Sequence, residues 1–442
     1  MFRPRCDDRE VSTASVAGEN WAGSHVFTAP ALVEATTVSE VQDVVRAAGS
    51  VGRVRALGTR HSFTDLADTT GTLVTVTGIA PDPVLDEVAR TVTVGGGIRY
   101  GVLASWLEQR GWALHNLGSL PHISVAGAVA TGTHGSGVRN RVLSGAVAGL
   151  EYVDRHGELV EVRRGDPDFD GLVVGLGAFG IVVRVTLDVE PSYRMRQDVY
   201  RDLPWQTLLD ELETVMGVGY SVSVFDDWQG STVDQVWVKS RIDQLDGEPP
   251  DRWLGAARDP RSEGRLVDLA SENLTVQGGM EGAWLDRLPH FRLESTPSIG
   301  AELQTEYFVE RSDGPGALGA VRALADRITP LLLVTELRTA AADELWLSPA
   351  FGRDVLAIHF TWKRLPDEVV ALLPDIEAAL APFGAWPHWG KVHRFDAETL
   401  GRMHPRLGDA RALFDRLDPD GMFSNEQLER LGVRSAPTPR VE

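Results

Sequence analysis

Three short strings in the second half of the chain hold side chains suited to proton transfer and dense hydrogen bonding. In VTELRT, Glu336 and Arg338 are two residues apart; in AIHFTW, His359 and Thr361 have the same spacing; PHWGKVHRF sets Lys391 beside Gly390 and Trp389. If the first two run as strands, alternation puts Glu336 and Arg338 on one face and Leu337 on the other. It likewise separates His359 and Thr361 from Ile358, Phe360 and Trp362. Taken singly, each pair is also compatible with an exposed strand carrying an ordinary ion pair. Taken together, a carboxylate, a guanidinium, an imidazole, a hydroxyl and an ammonium around one cavity suit a polyhydroxylated ligand, which needs many directional hydrogen bonds.

Two strings in the first half suit a cofactor. GTRHSF, residues 58–63, follows the apolar run 51–57, so a strand leads into a tight turn holding His61. Backbone N–H groups converging in such a turn meet phosphate oxygens, and the histidine ring can meet a planar cofactor. A plain surface turn is the alternative reading. GSLPHISVAGAVATGTHGSG, residues 118–137, is almost free of charge. Its small residues let backbone approach a pyrophosphate or an isoalloxazine edge, and Ser119, Ser124, Thr131 and Thr133 add hydroxyls. GLGAFG, residues 175–180, matches G-x-G-x-x-G, but the expected order is helix before and strand after, the reverse of a dinucleotide-binding unit. No G-x-S-x-G or H-E-x-x-H occurs, and His388 and His393 lack a carboxylate ligand motif, so hydrolase and metal chemistry are disfavoured.

The elements that would position these groups are legible in part. The 442 residues allow two or three domains. The stretch 39–48 reads as a helix capped at Ser39, followed by strands at 53–57, 72–77 and 91–94 and a helix at 100–110 closed by Gly111. A hairpin over 148–162 turns at 154–157, and 180–189 alternates as a strand, giving a mixed α+β first block. A domain boundary falls near residue 190. Beyond it, a Pro-, Gly- and charge-rich stretch occupies 243–264, strands run over 331–337 and 355–362, and helical spacing covers 366–381 and 399–417. The last block, from 394, is too short for a core of its own and is expected to pack back on a larger domain, its Pro/Arg tail fraying.

The formal charge is −20, from 43 Lys plus Arg against 63 Asp plus Glu, which opposes attraction to nucleic acid or anionic membranes. Cys6 is the single cysteine, so no intrachain disulfide or cysteine zinc site forms, and a reducing compartment is expected. The first 21 residues show no secretory signal and no run is long enough to span a membrane, so the expected location is the cytoplasm.

The strings GTRHSF, GSLPHISVAGAVATGTHGSG, TELRTAAADELWLSP, AIHFTW and PHWGK together resemble the alditol oxidases (xylitol and sorbitol oxidases) of the vanillyl-alcohol-oxidase flavoprotein superfamily, from about residue 20 onward. The resemblance implies an α+β, two-domain vanillyl-alcohol-oxidase/PCMH-type fold. Residues 1–190 would bind FAD, 191–393 would form a substrate domain on a large antiparallel sheet, and 394–442 would return to the FAD domain. It implies FAD bonded covalently to His61 through the flavin 8α-methyl carbon. Because Cys6 precedes the motif region, a single histidyl link is expected. Ala56, Leu57, Gly58, Thr59, Arg60 and Ser62 would wrap the pyrophosphate. Gly118, Ser119, Ser124, Gly127, Ala128, Val129 and Ala130 would contact FAD, as would Thr131, Gly132, Thr133, His134, Gly180 and Val182. Glu336, Arg338, His359, Thr361 and Lys391 would form the polyol site, with Ser119 facing it.

The implied reaction oxidises a terminal CH2OH of an alditol to the aldehyde, with hydride to flavin N5 and O2 reduced to H2O2. Arg338 and Lys391 would orient and polarise the hydroxyl, and either His359 or a neutral Lys391 would take its proton. Glu336 would anchor Arg338 and accept substrate hydrogen bonds, while Ser119 and Thr361 would read hydroxyls further along. Gly118 would leave room for O2 near the flavin. The expected partners are a small polyol and O2, with no metal, nucleic acid, membrane or obligatory protein partner. A sugar-1,4-lactone oxidase or dehydrogenase, a hydroxy-acid flavodehydrogenase and a non-catalytic sugar-binding protein are the alternatives.

Overall fold

The structure, a computed structural model, describes residues 17–79, 82–261, 271–295 and 302–436. Cys6 and the rest of residues 1–16, residues 262–264 of the Pro/Gly-rich stretch and most of the Pro/Arg tail lie outside the described residues.

Local sequence explains the first elements. SEVQDVVRAA folds within the helix Val38–Ala48, which buries Val41 and Val45. Its cap is Thr37, two residues before the expected Ser39: the Thr37 hydroxyl accepts from the Glu40 N–H, and the Glu40 carboxylate accepts from the Thr36 N–H at 2.7 Å. That reciprocal pairing satisfies N–H groups a helix start leaves open. The helical stretch expected over 399–417 is two helices, Ala397–Met403 and Leu407–Leu417. Pro405 lies between them and supplies no N–H to continue the first.

Among the described residues, the first block holds a parallel three-stranded sheet in the order Ala31–Glu34, Thr72–Thr75, Val54–Leu57. Beside it lies an antiparallel five-stranded sheet in which Ile181–Asp188 is central between Thr91–Gly95 and Val147–Val153. GLGAFG therefore joins the short helix Phe169–Leu172 to an antiparallel strand, with Leu176 and Gly177 at positive φ, and has no dinucleotide-binding architecture.

The second block is built on a ten-stranded antiparallel sheet among the described residues, whose middle runs Ser221–Asp226, Leu332–Ala340, Val355–Lys363, Glu302–Glu310. Register aligns four side chains in one row: Phe225 opposite Glu336, Glu336 opposite His359, His359 opposite Glu306. The alternate positions Leu337, Ile358, Phe360, Trp362 and Tyr307 bury with Leu318, Val321, Val369 and Leu373 of the helices Gly314–Arg322 and Pro366–Leu380. Each such side chain contributes about 1.5–3 kcal/mol of burial, so a one-residue slip that turned this row outward is strongly disfavoured.

The chain's last segment closes against the first block. The Val54 N–H donates to Met422 O at 2.9 Å, Asn425 donates to the carbonyls of Asp65, Leu66 and Asp68, and Arg434 donates to Ala178 O. The buried Arg55 gathers the carbonyls of Leu66, Leu176, Gly177 and Phe423 around one guanidinium. Among the described residues, no helix is long and apolar enough to cross a membrane.

Candidate active site

The strand Val54–Leu57 delivers the chain into the GTRHSF turn, where Arg60 adopts a positive φ. The Thr59 hydroxyl accepts from the Ser124 N–H at 3.0 Å and meets His61 Nδ1 at 3.1 Å, which fixes the imidazole from one edge. Trp21 stacks on the ring at 5.3 Å and 25°. Burial pushes the His61 imidazole down to about 4, so it is neutral at physiological pH and keeps a lone pair for bonding. The Phe63 N–H and the Ser62 hydroxyl both donate to Gly390 O, tying this turn to the residue before Lys391.

The small-residue stretch forms the facing wall. A Cβ at Gly58 would stand 2.7 Å from Ser124 Oγ, and one at Gly127 would stand 2.9 Å from the same atom. A side chain at either position would displace the Ser124 hydroxyl where the turn meets the short helix Val125–Ala130. The turn, this wall and the charged row line one cavity of about 330 Å³. Of the residues the resemblance assigns to FAD or polyol, every one lines it except Gly132, at positive φ, where a Cβ would meet Pro349 and Val174 instead. Bare backbone and hydroxyls at one end, and a cluster of ionised groups at the other, fit FAD as the cofactor.

At that end the organising group is one the sequence reading missed. Glu306 is fully buried and accepts from Lys391 Nζ at 2.6 Å, Arg338 Nη2 at 2.9 Å and His134 Nε2 at 3.1 Å. Burial alone would raise its pKa, yet Lys391, His134 and Arg338 hold it well below the usual carboxylate range. His134 is therefore engaged with Glu306 and, through Nδ1, with Gly135 O, besides lining the cavity.

Arg338 also donates through Nη1 to Ser119 Oγ and His134 O, both at 3.3 Å. Its Nε is buried without a hydrogen-bond partner, 3.5 Å from Glu336 Oε1. Glu306 thus joins the expected Glu336 as a second carboxylate on Arg338. Glu336 is held instead by His290, whose Nε2 meets it at 2.7 Å. Lys391 Nζ donates to His359 Nδ1 at 2.7 Å, and His359 Nε2 meets Thr361 Oγ1 at 3.1 Å. Burial pushes both Lys391 and His359 down, with Glu306 opposing the shift in each. The Lys391 turn is fixed by His388, whose N–H donates to Glu306 O and whose Nδ1 accepts from the Gly390 N–H.

Residues 29–163 match the model of an FAD binding domain, and residues 301–431 that of D-arabinono-1,4-lactone oxidase. The chain is 44% identical to an alditol oxidase of Streptomyces sp. (strain IKD472 / FERM P-14339), over 94% of this chain and 99% of that protein. It is 31% identical to L-gulono-1,4-lactone dehydrogenase of Mycobacterium tuberculosis, over 93% and 98%. In structure it resembles cholesterol oxidase from B. sterolicum, with a TM-score of 0.74 at 18% identity, over 94% and 96% of the two chains.

Proposed function

The chain belongs to the alditol oxidase family of FAD-dependent oxidoreductases, and on that premise we propose that it oxidises the terminal primary alcohol of alditols such as xylitol and sorbitol. Bound FAD supplies hydride acceptance at N5 and passes the electrons to O2, giving H2O2. In this reading residues 1–190 hold FAD, 191–393 hold the substrate and 394–442 return to the FAD domain. His61 is the covalent anchor, its neutral ring clamped between Trp21 and Thr59.

The observation that carries the reading is the Lys391–Glu306–Arg338 cluster. Two carboxylates, Glu306 and Glu336, face two fixed cations, Arg338 and Lys391, and each of the two cations is already paired with a carboxylate. Neither Arg338 nor Lys391 is left unpaired for a substrate carboxylate, which favours a neutral polyol over a hydroxy acid.

Lys391 uses two N–H bonds on Glu306 and His359, which leaves the third for the substrate hydroxyl oxygen. The unpartnered Nε of Arg338 is a second donor, and Glu336 accepts from a substrate hydroxyl. Because Lys391 Nζ and His359 Nδ1 share a hydrogen bond, the choice of base becomes a relay. Once a Lys391 proton has passed to His359 Nδ1, the neutral amine turns its lone pair to the substrate hydroxyl and takes its proton, and the pair titrates as a unit. Thr361, engaged by His359 Nε2, fixes that ring and reads a hydroxyl further along the chain, as Ser119 does from Arg338. A cytoplasmic location and independence from a protein partner complete the reading.

The match of residues 301–431 to a lactone oxidase favours a sugar 1,4-lactone as the second reading. Comparing xylitol with such a lactone as reductant of the purified protein separates the two. A colourless protein that binds sugar without turnover would defeat both.

A further inference from the structure

Behind Glu336 lies a buried chain of polar groups that the reaction itself does not use. Lys239, on the strand Thr232–Arg241, is 1% exposed. Its Nζ meets Leu288 O at 2.6 Å, Pro289 O at 3.1 Å and His290 Nδ1 at 2.9 Å. Burial pushes Lys239 down to about 7, with Glu336 opposing the shift; below that pH the ammonium has three hydrogens and no lone pair, so all three are engaged and His290 Nδ1 must accept. The His290 proton is then on Nε2 and is donated to Glu336 Oε1 at 2.7 Å.

The His290 ring cannot turn away. Phe225 and Trp237 meet it edge-on at 5.5 and 5.1 Å, and the backbone N–H groups of His290 and Phe291 both donate to Ser119 O. One short segment therefore fixes the backbone of a substrate-facing serine and the carboxylate opposite it. Burial works against a charged Glu336, yet Arg338 and His290 hold it well below the usual carboxylate range.

We propose that Lys239 and His290 are positioning residues that set substrate specificity: they fix Glu336 as a pure hydrogen-bond acceptor, which selects ligands donating a hydroxyl hydrogen there over ligands presenting a carbonyl or ring oxygen. This rests on the polyol reading above. The chain Lys239 to His290 to Glu336 runs in one direction while Lys239 is an ammonium, which supplies only donors. An apolar group at position 239 frees the ring to adopt either tautomer, and the Nδ1–H form turns a lone pair toward Glu336 and repels it.

The test is a double-mutant cycle on the FAD-loaded protein with xylitol. His290→Leu and Lys239→Met should each raise KM about tenfold or more while kcat changes less than about threefold, the signature of lost ground-state binding. His290→Gln should recover most of the KM lost in His290→Leu, since its amide both accepts from Lys239 and donates to Glu336. In a Glu336→Gln background, Lys239→Met should add nothing further, because it acts through Glu336. Effects of Lys239→Met and Glu336→Gln that multiply would overturn the proposal.

A second readout needs no turnover. The 15N spectrum of His290, identified by difference from His290→Gln, should show the Nε2–H tautomer in the parent and its loss in Lys239→Met. An Nδ1–H tautomer in the parent defeats the relay. Failure of xylitol to reduce the protein, with the tautomer as expected, counts against the polyol reading instead.

Discussion

Glu306 Oε2 stands 2.6 Å from Lys391 Nζ, and this one buried carboxylate also carries Arg338 on its other oxygen. Removing one member of a buried ion pair leaves the other charge uncompensated, at a cost of about 3–5 kcal/mol. Glu306→Gln should therefore lower the rate of anaerobic flavin reduction at least about 10²-fold, as should Lys391→Ala and Arg338→Ala. Glu306 raises the Lys391 pKa against burial, so its loss should also move the limb of the pH–rate profile governed by the Lys391–His359 pair to lower pH. An unshifted limb with near-parental rates would remove Glu306 from the account.

Acid precipitation of the purified protein should carry the yellow chromophore into the pellet, whereas His61→Ala should release FAD to the supernatant. The neutral ring held by Thr59 and Trp21 is the physical basis. Release from the parent protein would show that no covalent link exists.

A Cβ at Gly118 would meet Ile123 Cδ1 and Thr133 Cγ2 at 3.7 Å, ordinary contact distances at an unstrained backbone. Gly118→Ala should fold normally and fill space beside the small-residue wall. Its turnover with O2 should fall at least about tenfold while anaerobic reduction by substrate stays within about twofold. Equal effects on both half-reactions would deny Gly118 a role in admitting oxygen.

Burial pushes His290 down to about 4 and His404 down to about 3, against roughly 6.5 in an unfolded chain. Between pH 6.5 and 4 the unfolded state binds the extra protons, so stability falls as pH falls. Each histidine contributes up to about 1.4 kcal/mol per pH unit within that window. Melting temperature should drop from pH 7 to pH 5, and His404→Phe, which can keep the stack on Trp386, should flatten the drop. An unchanged slope in that variant would refute the contribution of His404.

What the sequence revealed was local in origin. The alternation in VTELRT and AIHFTW needs only neighbouring residues, and it correctly put Glu336, Arg338, His359 and Thr361 on one face. Glu306 lies in the equally alternating ELQTEYFVE, but its meaning comes from register: it is opposite His359 on the next strand, a pairing of residues 53 apart in sequence. The Arg338–Glu336 pair is legible from proximity along the strand, whereas the bond from the same guanidinium to Glu306, two strands away, is not. His290 lies in an irregular segment with no period to read. Pro405 was a legible helix break, and the helical spacing on both sides obscured it.

The central claim is alditol oxidation at the Lys391–Glu306–Arg338 cluster, and its most direct test is a substrate panel on the purified protein with peroxide detection. Xylitol and sorbitol should bleach the yellow chromophore anaerobically and give one H2O2 per alditol oxidised in air. They should do so far faster than a sugar 1,4-lactone or a hydroxy acid. Rapid reduction by the lactone with no response to either alditol would contradict the account.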